Sequence, residues 1–195
     1  MKITMETKTV KINIGCGKAK LQSWINLDIE KGADIILDLK KGLPFKDNSI
    51  QYIYSEHVLE HFSFNEGQIF LKDCFRILTD GGIIRIATPD LDHIIKKYLS
   101  DWRNQDWLLS PEYSFITTRG NMLNVIFSWW GHNFLYNEED LRMQLENAGF
   151  TNLVKTDFRS SRFSDLCNLE TRIDSKLIIE AEKRLFRLPK NGKLE

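Results

Sequence analysis

After a charged start, the chain opens on a short β-branched run at residues 10–14 that stops at glycine. Two similar apolar runs follow at 24–27 and 33–37, each closed by an aspartate, Asp28 and Asp38. Runs of this length and punctuation predict buried strands. A fourth strand is expected at 51–54, after the turn signal Lys46-Asp47-Asn48-Ser49, and a fifth at 82–87, between Gly81-Gly82 and Pro89. Between them Ile69, Leu71, Cys74, Phe75, Ile77 and Leu78 fall at near-helical spacing, which predicts a crossover helix stopped by Asp80-Gly81-Gly82. A further helix is predicted over 138–148. Asn137 stands at its cap, Glu138-Glu139-Asp140 fill its positive end, Leu141, Leu145 and Ala148 form its apolar stripe, and Gly149 ends it. Strands at 152–158 and 176–180 complete the set.

Seven strands alternating with helices predict an α/β fold: a Rossmann-like, doubly wound, seven-stranded and mostly parallel sheet whose first five strands are parallel. Residues 101–131 interrupt the alternation. They carry Trp102, Trp107, Trp129 and Trp130 without a clean period and are expected to form an aromatic insertion after the fifth strand, over the active face. With no repeat and no linker, residues 1–183 are expected to form one domain, followed by a polar tail at 184–195.

Composition narrows the function classes. With 195 residues, 42% of them hydrophobic, the chain can bury one sizeable core. Its 27 basic and 27 acidic residues cancel, so no summed field draws it to nucleic acid or to an anionic membrane. Cys16, Cys74 and Cys167 are odd in number and contain no Cys-x-x-Cys pair, which fits a reducing, cytoplasmic setting better than a disulfide framework. The first ten residues have the pattern of neither a signal peptide nor an anchor, and no run is long enough to cross a bilayer. Nothing in the pattern sets an oligomeric state.

The loop Gly15-Cys16-Gly17 at the end of the first strand suits a charged or dipolar ligand, because glycine admits close backbone approach and turns N–H groups outward. A dinucleotide fingerprint would need a third glycine where this chain has Lys20, and an acid about 20 residues on. Here Asp28 follows Gly17 by 11 positions, which shortens the first crossover to a turn or so of helix.

At these residues the sequence resembles the class I S-adenosylmethionine-dependent methyltransferases, and most closely their type 11 branch. The resemblance is carried by Ile12-Asn13-Ile14-Gly15-Cys16-Gly17, by Leu43-Pro44-Phe45, and by residues 55–62 and 76–82. It covers residues 10–90, and more loosely 137–183. It implies S-adenosylmethionine as cofactor, with Gly15, Cys16 and Gly17 against its methionine and ribose parts. By the same resemblance, Asp28 and the adjoining Ile29 would serve the ribose, Asp38 and Leu39 the adenine, and Ser55 would border the reactive end. The chain departs from the family at Asn13, often an acid, and at Ala19, often a third glycine. The loop is therefore expected to contribute backbone contacts and close approach.

His57, Glu60 and His61 spell H-x-x-E-H. On a helix this puts two imidazoles on one face, as in an inverted zinc-peptidase motif, which needs a third ligand from a downstream helix. Glu138 and Glu139 look committed to capping, and no metal is expected. In the methyltransferase reading the segment leaves the carboxyl end of the fourth strand, where a doubly wound sheet opens its ligand crevice. His57, His61, His132 and Asp90 are then the catalytic candidates, needed if the acceptor must lose a proton. Residues 129–136, with two tryptophans, His132 and Asn133, suit a flat acceptor such as a sugar ring. The expected activity is methyl transfer to a small molecule or glycan intermediate, with oxygen favoured as acceptor. The alternatives are the zinc peptidase and a non-catalytic S-adenosylmethionine-binding regulator.

Overall fold

A computed structural model describes residues 9–185 of the protein. The expectations for residues 1–8 and 186–195 lie outside the described residues. The strands are β1 (Lys11–Ile14), β2 (Ile25–Asp28), β3 (Ile35–Ile36), β4 (Ile50–Glu56), β5 (Leu78–Thr88), β6 (Thr151–Lys155) and β7 (Leu177–Glu182). The helices are α1 (Phe64–Ile77), α2 (Leu91–Leu99), α3 (Arg119–Asn124) and α4 (Glu138–Ala148). The strands form one sheet in the order β3-β2-β1-β4-β5-β7-β6. The first five pair in parallel, and β7 runs antiparallel between β5 and β6. This is the Rossmann-like α/β arrangement that the alternation predicts. The chain order reverses between β1 and β4, which opens a crevice at their carboxyl ends.

Strand alternation assigns the two faces of the sheet. Ile12, Ile14, Leu27, Ile53, Ile84 and Ile86 pack with Phe70, Leu71, Cys74 and Ile77 of α1 and with Leu141, Leu145 and Ala148 of α4. Ser63 and Glu66 start α1 with a reciprocal capping box, Asn137 caps α4, and Gly149 ends it at φ 105°. The opposite face presents Trp24, Tyr54 and Ile83, which pack on Leu166 and Leu169 of the irregular β6–β7 connection. That connection is tied down through the core: fully buried Arg85 of β5 pairs with Glu170 and Glu180 at 2.6 Å each and donates to Thr156 at 2.8 Å.

Some elements differ from expectation. Helix α1 ends at Ile77, and Asp80-Gly81-Gly82 lie inside β5 rather than stopping the helix. Pairing of Gly81 and Gly82 with Lys183 holds them in the sheet. No helix stands between β1 and β2. Instead, the Asn26 carboxamide accepts from Leu21 N and Asn13 Nδ2 and donates to Leu21 O, Trp24 O and Asp34, so one side chain satisfies a turn that a helix would otherwise close. Helix α2 is an addition, although Asp90 as cap and Leu91, Ile94, Ile95 and Tyr98 at helical spacing mark it in the sequence. In residues 101–131, Trp102, Ile116, Met122, Val125 and Ile126 build a separate small core with Ile94 and Leu135. Among the described residues, no helix is long and apolar enough to cross a membrane.

Candidate active site

The glycine loop turns at the carboxyl end of β1 with Gly15 at φ 70° and Gly17 at φ 48°. A Cβ on Gly15 would come within 2.0 Å of Val58 Cγ2, so this loop packs directly on the segment that follows β4. At Gly17 a Cβ would meet nothing within 4 Å, so space adjoins the loop. The loop's N–H groups do not point outward as expected: Gly15 N and Cys16 N donate to Leu27 O, and Gly17 N donates to Asp28. Asp28 ends β2 beside the loop: Oδ2 accepts from Gly17 N at 2.7 Å and Oδ1 from Glu30 N at 2.9 Å. Ile29 follows with 68% of its surface exposed, an apolar face at the edge of the crevice. Asp38 accepts from Lys40 N at the start of a short 3-10 turn (Leu39–Lys41), and Leu39 packs partly into the core. Ser55, in register with Ile14, is buried, and its hydroxyl has no hydrogen-bond partner. Asn13 is consumed by bonds to Ala19 O and Asn26.

Beside the loop lies a cavity of about 210 Å³ lined by Asn13, Gly15, Cys16, Gly17, Glu56, Thr171 and Arg172 among others. Glu56 and Arg172, an acid and a base, both border it. Burial, with Asp28 next in weight, pushes the Cys16 thiol above its ordinary value, so it stays protonated. A second cavity, of about 260 Å³, opens beyond the end of β5. Asp90, His93, Trp107, Trp130, Asp174 and Lys176 are among its walls. Residues 171–174 border both cavities: Thr171 and Arg172 the first, Ile173 and Asp174 the second.

The wall between them hangs on Glu56, the last residue of β4. Its carboxylate accepts from Thr171 N and Oγ1, Arg172 N and Ser175 Oγ at 2.7–3.1 Å. Burial raises its pKa, but the Thr171, Arg172 and Ser175 donors outweigh burial and hold it below the ordinary 4.5. Glu56→Gln is therefore expected to cost about 2 kcal/mol at neutral pH, the scale of charge-assisted hydrogen bonds. A depressed folded-state pKa contributes stability that is present above 4.5 and lost as pH falls through the folded value. Urea midpoints of wild type and variant should differ at pH 7 and converge below pH 4.5; an equal gap at both would remove Glu56 as the anchor.

The structure brings His57, His61 and His132 together around Glu60. His57 sits at φ 52°, with Nδ1 3.3 Å from Glu60 Oε1 and Nε2 bonded to Ser175 Oγ at 3.1 Å. His132 Nε2 lies 3.9 Å from the same Glu60 oxygen, and the His61 and His132 rings meet edge-on at 5.1 Å. Burial pushes Glu60 up to about 7 and holds His57 below its ordinary value. Burial, with the neighbouring His61 and His57, lowers His132 to about 4. Asp90 is bonded elsewhere. It caps α2, where Oδ1 accepts from Asp92 N and His93 N, and it lines the larger cavity.

The H-x-x-E-H residues do not share an α-helix: His57 follows the end of β4 in a left-handed conformation, and Leu59–His61 is a single 3-10 turn. Glu138 pairs with Arg142 and Lys155 in the first turn of α4. The helix geometry that the peptidase motif requires is thus missing. Sequence reading missed Glu56, Arg172, Asp174 and Ser175. No local signal marks them, because Glu56 and Ser175 meet across 119 positions of chain.

The fold, with a crevice at its switch point, is Rossmann-like. The model of a family described as methyltransferase domain matches residues 12–86, which contain the glycine loop, Asp28, Asp38, and the segment through His61. Among curated proteins, no sequence matches significantly. Among solved structures, this chain is similar to a SAM-dependent methyltransferase from Methanosarcina mazei, at 17% identity and TM-score 0.54, covering 92% of this chain and 94% of that one. It is also similar to a SAM-dependent methyltransferase and possible histamine N-methyltransferase from Thermotoga maritima, at 17% identity and TM-score 0.53, covering 90% and 82%. A possible exported protein from Bordetella parapertussis matches at 14% identity and TM-score 0.51, and the chain spans 62% of its length while 90% of this chain is covered. The structural likenesses show the fold. The family match over residues 12–86 supports S-adenosylmethionine-dependent methyl transfer, with S-adenosylmethionine as methyl donor.

Proposed function

We propose that this chain, as one domain over residues 1–183, methylates a small molecule or glycan intermediate in the cytoplasm, with oxygen as the favoured acceptor atom. The observation that carries the reading is the pair of cavities on either side of residues 171–174, one at the glycine loop and one beyond β5. That arrangement suits a donor and an acceptor that meet end to end. S-adenosylmethionine supplies a methyl group activated on a sulfonium, so the protein's task is to align the partners and keep water out.

Gly15, Cys16 and Gly17 would admit the methionine end by close approach, their N–H groups being bonded to Leu27 O and Asp28, with Arg172 and Glu56 supplying opposite charges at the same opening. Asp28 would take the ribose hydroxyls, beside exposed Ile29, while Asp38 and Leu39 would serve the adenine. The unpaired Ser55 hydroxyl is a further donor or acceptor at the end of β4. On the acceptor side, Trp107 and Trp130 offer faces for a ring, and Lys97 and Lys176 offset Asp90, Asp106 and Asp174, a mixed lining that suits a neutral hydroxylated molecule better than a strongly charged one. Asp90 Oδ1 is engaged in capping, and Oδ2 is the oxygen available to the acceptor proton. His57, His61 and His132 complete the proposed catalytic set.

Calorimetry with S-adenosylmethionine and S-adenosylhomocysteine tests the donor site. Wild type should bind both, and Asp28→Ala should weaken both by roughly 10- to 100-fold, the scale of a lost charge-assisted hydrogen bond. No binding by wild type would sink the functional reading. Unchanged binding by the variant would remove Asp28 from the ribose site.

A further inference from the structure

Glu60 has a buried oxygen with no hydrogen-bond partner in the middle of three imidazoles. The Glu60 side chain is completely buried, Oε2 accepts from Thr88 Oγ1 at 3.0 Å, and Oε1 has no hydrogen bond. The protons around it can be placed. Ser175 Oγ donates its only hydrogen to Glu56, so the 3.1 Å contact with His57 Nε2 requires His57 to donate from that nitrogen. His57 Nδ1 is then a lone pair facing Glu60 Oε1 at 3.3 Å. Two lone pairs at that distance repel, so a proton on the carboxyl or another positive centre belongs close to both.

His61, Glu60 and His132 supply such a centre's ligands. One nitrogen or oxygen from each lies within 4.8 Å of the others. Backbone bonds hold the two chain segments in place. Asn133 N and Phe134 N both donate to Glu60 O, at 2.8 and 3.1 Å, and Asn133 Nδ2 donates to His61 O at 2.7 Å. His61 Nδ1 also bonds to Gly131 O at 3.1 Å, which fixes the tautomer and frees Nε2. An imidazole anchored through one nitrogen to a backbone carbonyl, beside a carboxylate anchored to a hydroxyl, is the outer-shell pattern of metal ligands.

We propose that Glu60, His61 and His132 form a divalent metal site, for which two imidazoles and one carboxylate select zinc over magnesium or calcium. This departs from the sequence expectation of no metal. Zinc ligands at about 2.0–2.2 Å from the ion stand about 3.4 Å apart, so the three groups close in by roughly an ångström on binding. Three protein ligands leave a coordination position open, as catalytic sites do. His132 meets Trp130 edge-on at 5.8 Å, and Trp130 lines the larger cavity. The metal's role rests on the methyltransferase reading. An acceptor hydroxyl bound at the open position would give its proton more readily to the base of the proposed function, Asp90 Oδ2. Its oxygen then forms the new bond to the methyl carbon while the carbon–sulfur bond of the sulfonium breaks, leaving a neutral thioether.

Zinc binding is measured by equilibrium dialysis of chelator-treated full-length protein, and the site geometry by visible absorption after cobalt(II) substitution. Wild type should bind one zinc per chain. His61→Ala, at an exposed position that tolerates truncation, and His132→Ala should each lower zinc affinity roughly 100-fold and alter the cobalt spectrum, while S-adenosylmethionine binding by calorimetry persists. Absence of zinc binding in wild type, or undiminished binding in both variants, overturns the metal site. Because donor binding is followed in the same samples, its loss in wild type would count against the methyltransferase reading and not against the metal site.

Discussion

Arg85→Met is expected to lose about 3–5 kcal/mol of folding stability, a large share of the 5–15 kcal/mol typical of a domain. The guanidinium is fully buried between Glu170 and Glu180, at 2.6 Å from each. Its removal leaves two carboxylates in the core with no cation between them, and their desolvation is then uncompensated. Glu170 also accepts from Arg159 N, so the loss spreads into the β6–β7 connection and through it to the wall between the two cavities. Urea denaturation of the purified variant measures the effect. Replacing Arg85, Glu170 and Glu180 together by apolar residues of similar volume should recover most of the loss, because no unpaired charge remains. A single variant that loses less than about 1 kcal/mol would mean that water reaches the carboxylates and that the pair is not a core element.

Gly15→Ala should be the most damaging change in the glycine loop. It places a Cβ 2.0 Å from Val58 Cγ2 and forces alanine to φ 70°. The backbone strain costs about 1 kcal/mol and the overlap about 1–3 kcal/mol more, because Val58 is itself buried against the main core. Since Val58 adjoins His57, relief of the clash would displace the histidine cluster as well as the loop. Loss of S-adenosylmethionine affinity is therefore expected together with a lowered melting temperature. Gly17→Ala provides the comparison: open space surrounds its Cβ position, so only the strain remains. Trimming Val58 to alanine in the Gly15→Ala background should restore part of the stability, and failure to do so would place the damage in backbone strain alone.

The two expectations differ in how far the sequence foretold them. Gly15 was legible as a residue that must be glycine, since a strand ending in Gly-Cys-Gly signals close approach. Its partner Val58 was not, because a contact between residues 15 and 58 depends on the register of β1 against β4. Arg85 gave no signal of its role. It stands at a strand position where alternation predicts a buried side chain, and only the fold brings Glu170 and Glu180 to it. Three of the four histidines, His57, His61 and His132, were singled out by residue type and position, whereas His93, a wall of the larger cavity, was not. That those three converge on Glu60 follows from the backbone bonds between residues 131–134 and 60–61.

By itself, the sequence determined the seven strands, the parallel order of the first five, helix α4 with both caps, and the glycine loop at the end of β1 with Asp28 at the end of β2. All of these rest on local periodicity, turn chemistry and short spacings, which act within a few residues of chain. Tertiary structure decided how the second face of the sheet is covered, how Asn26 replaces the first crossover helix, and how residues 171–174 part the two cavities. It also decided that Glu60, His61 and His132 meet. These features depend on polar side chains satisfied across as many as 119 positions, and buried hydrogen bonds of that range leave no periodic trace in the chain.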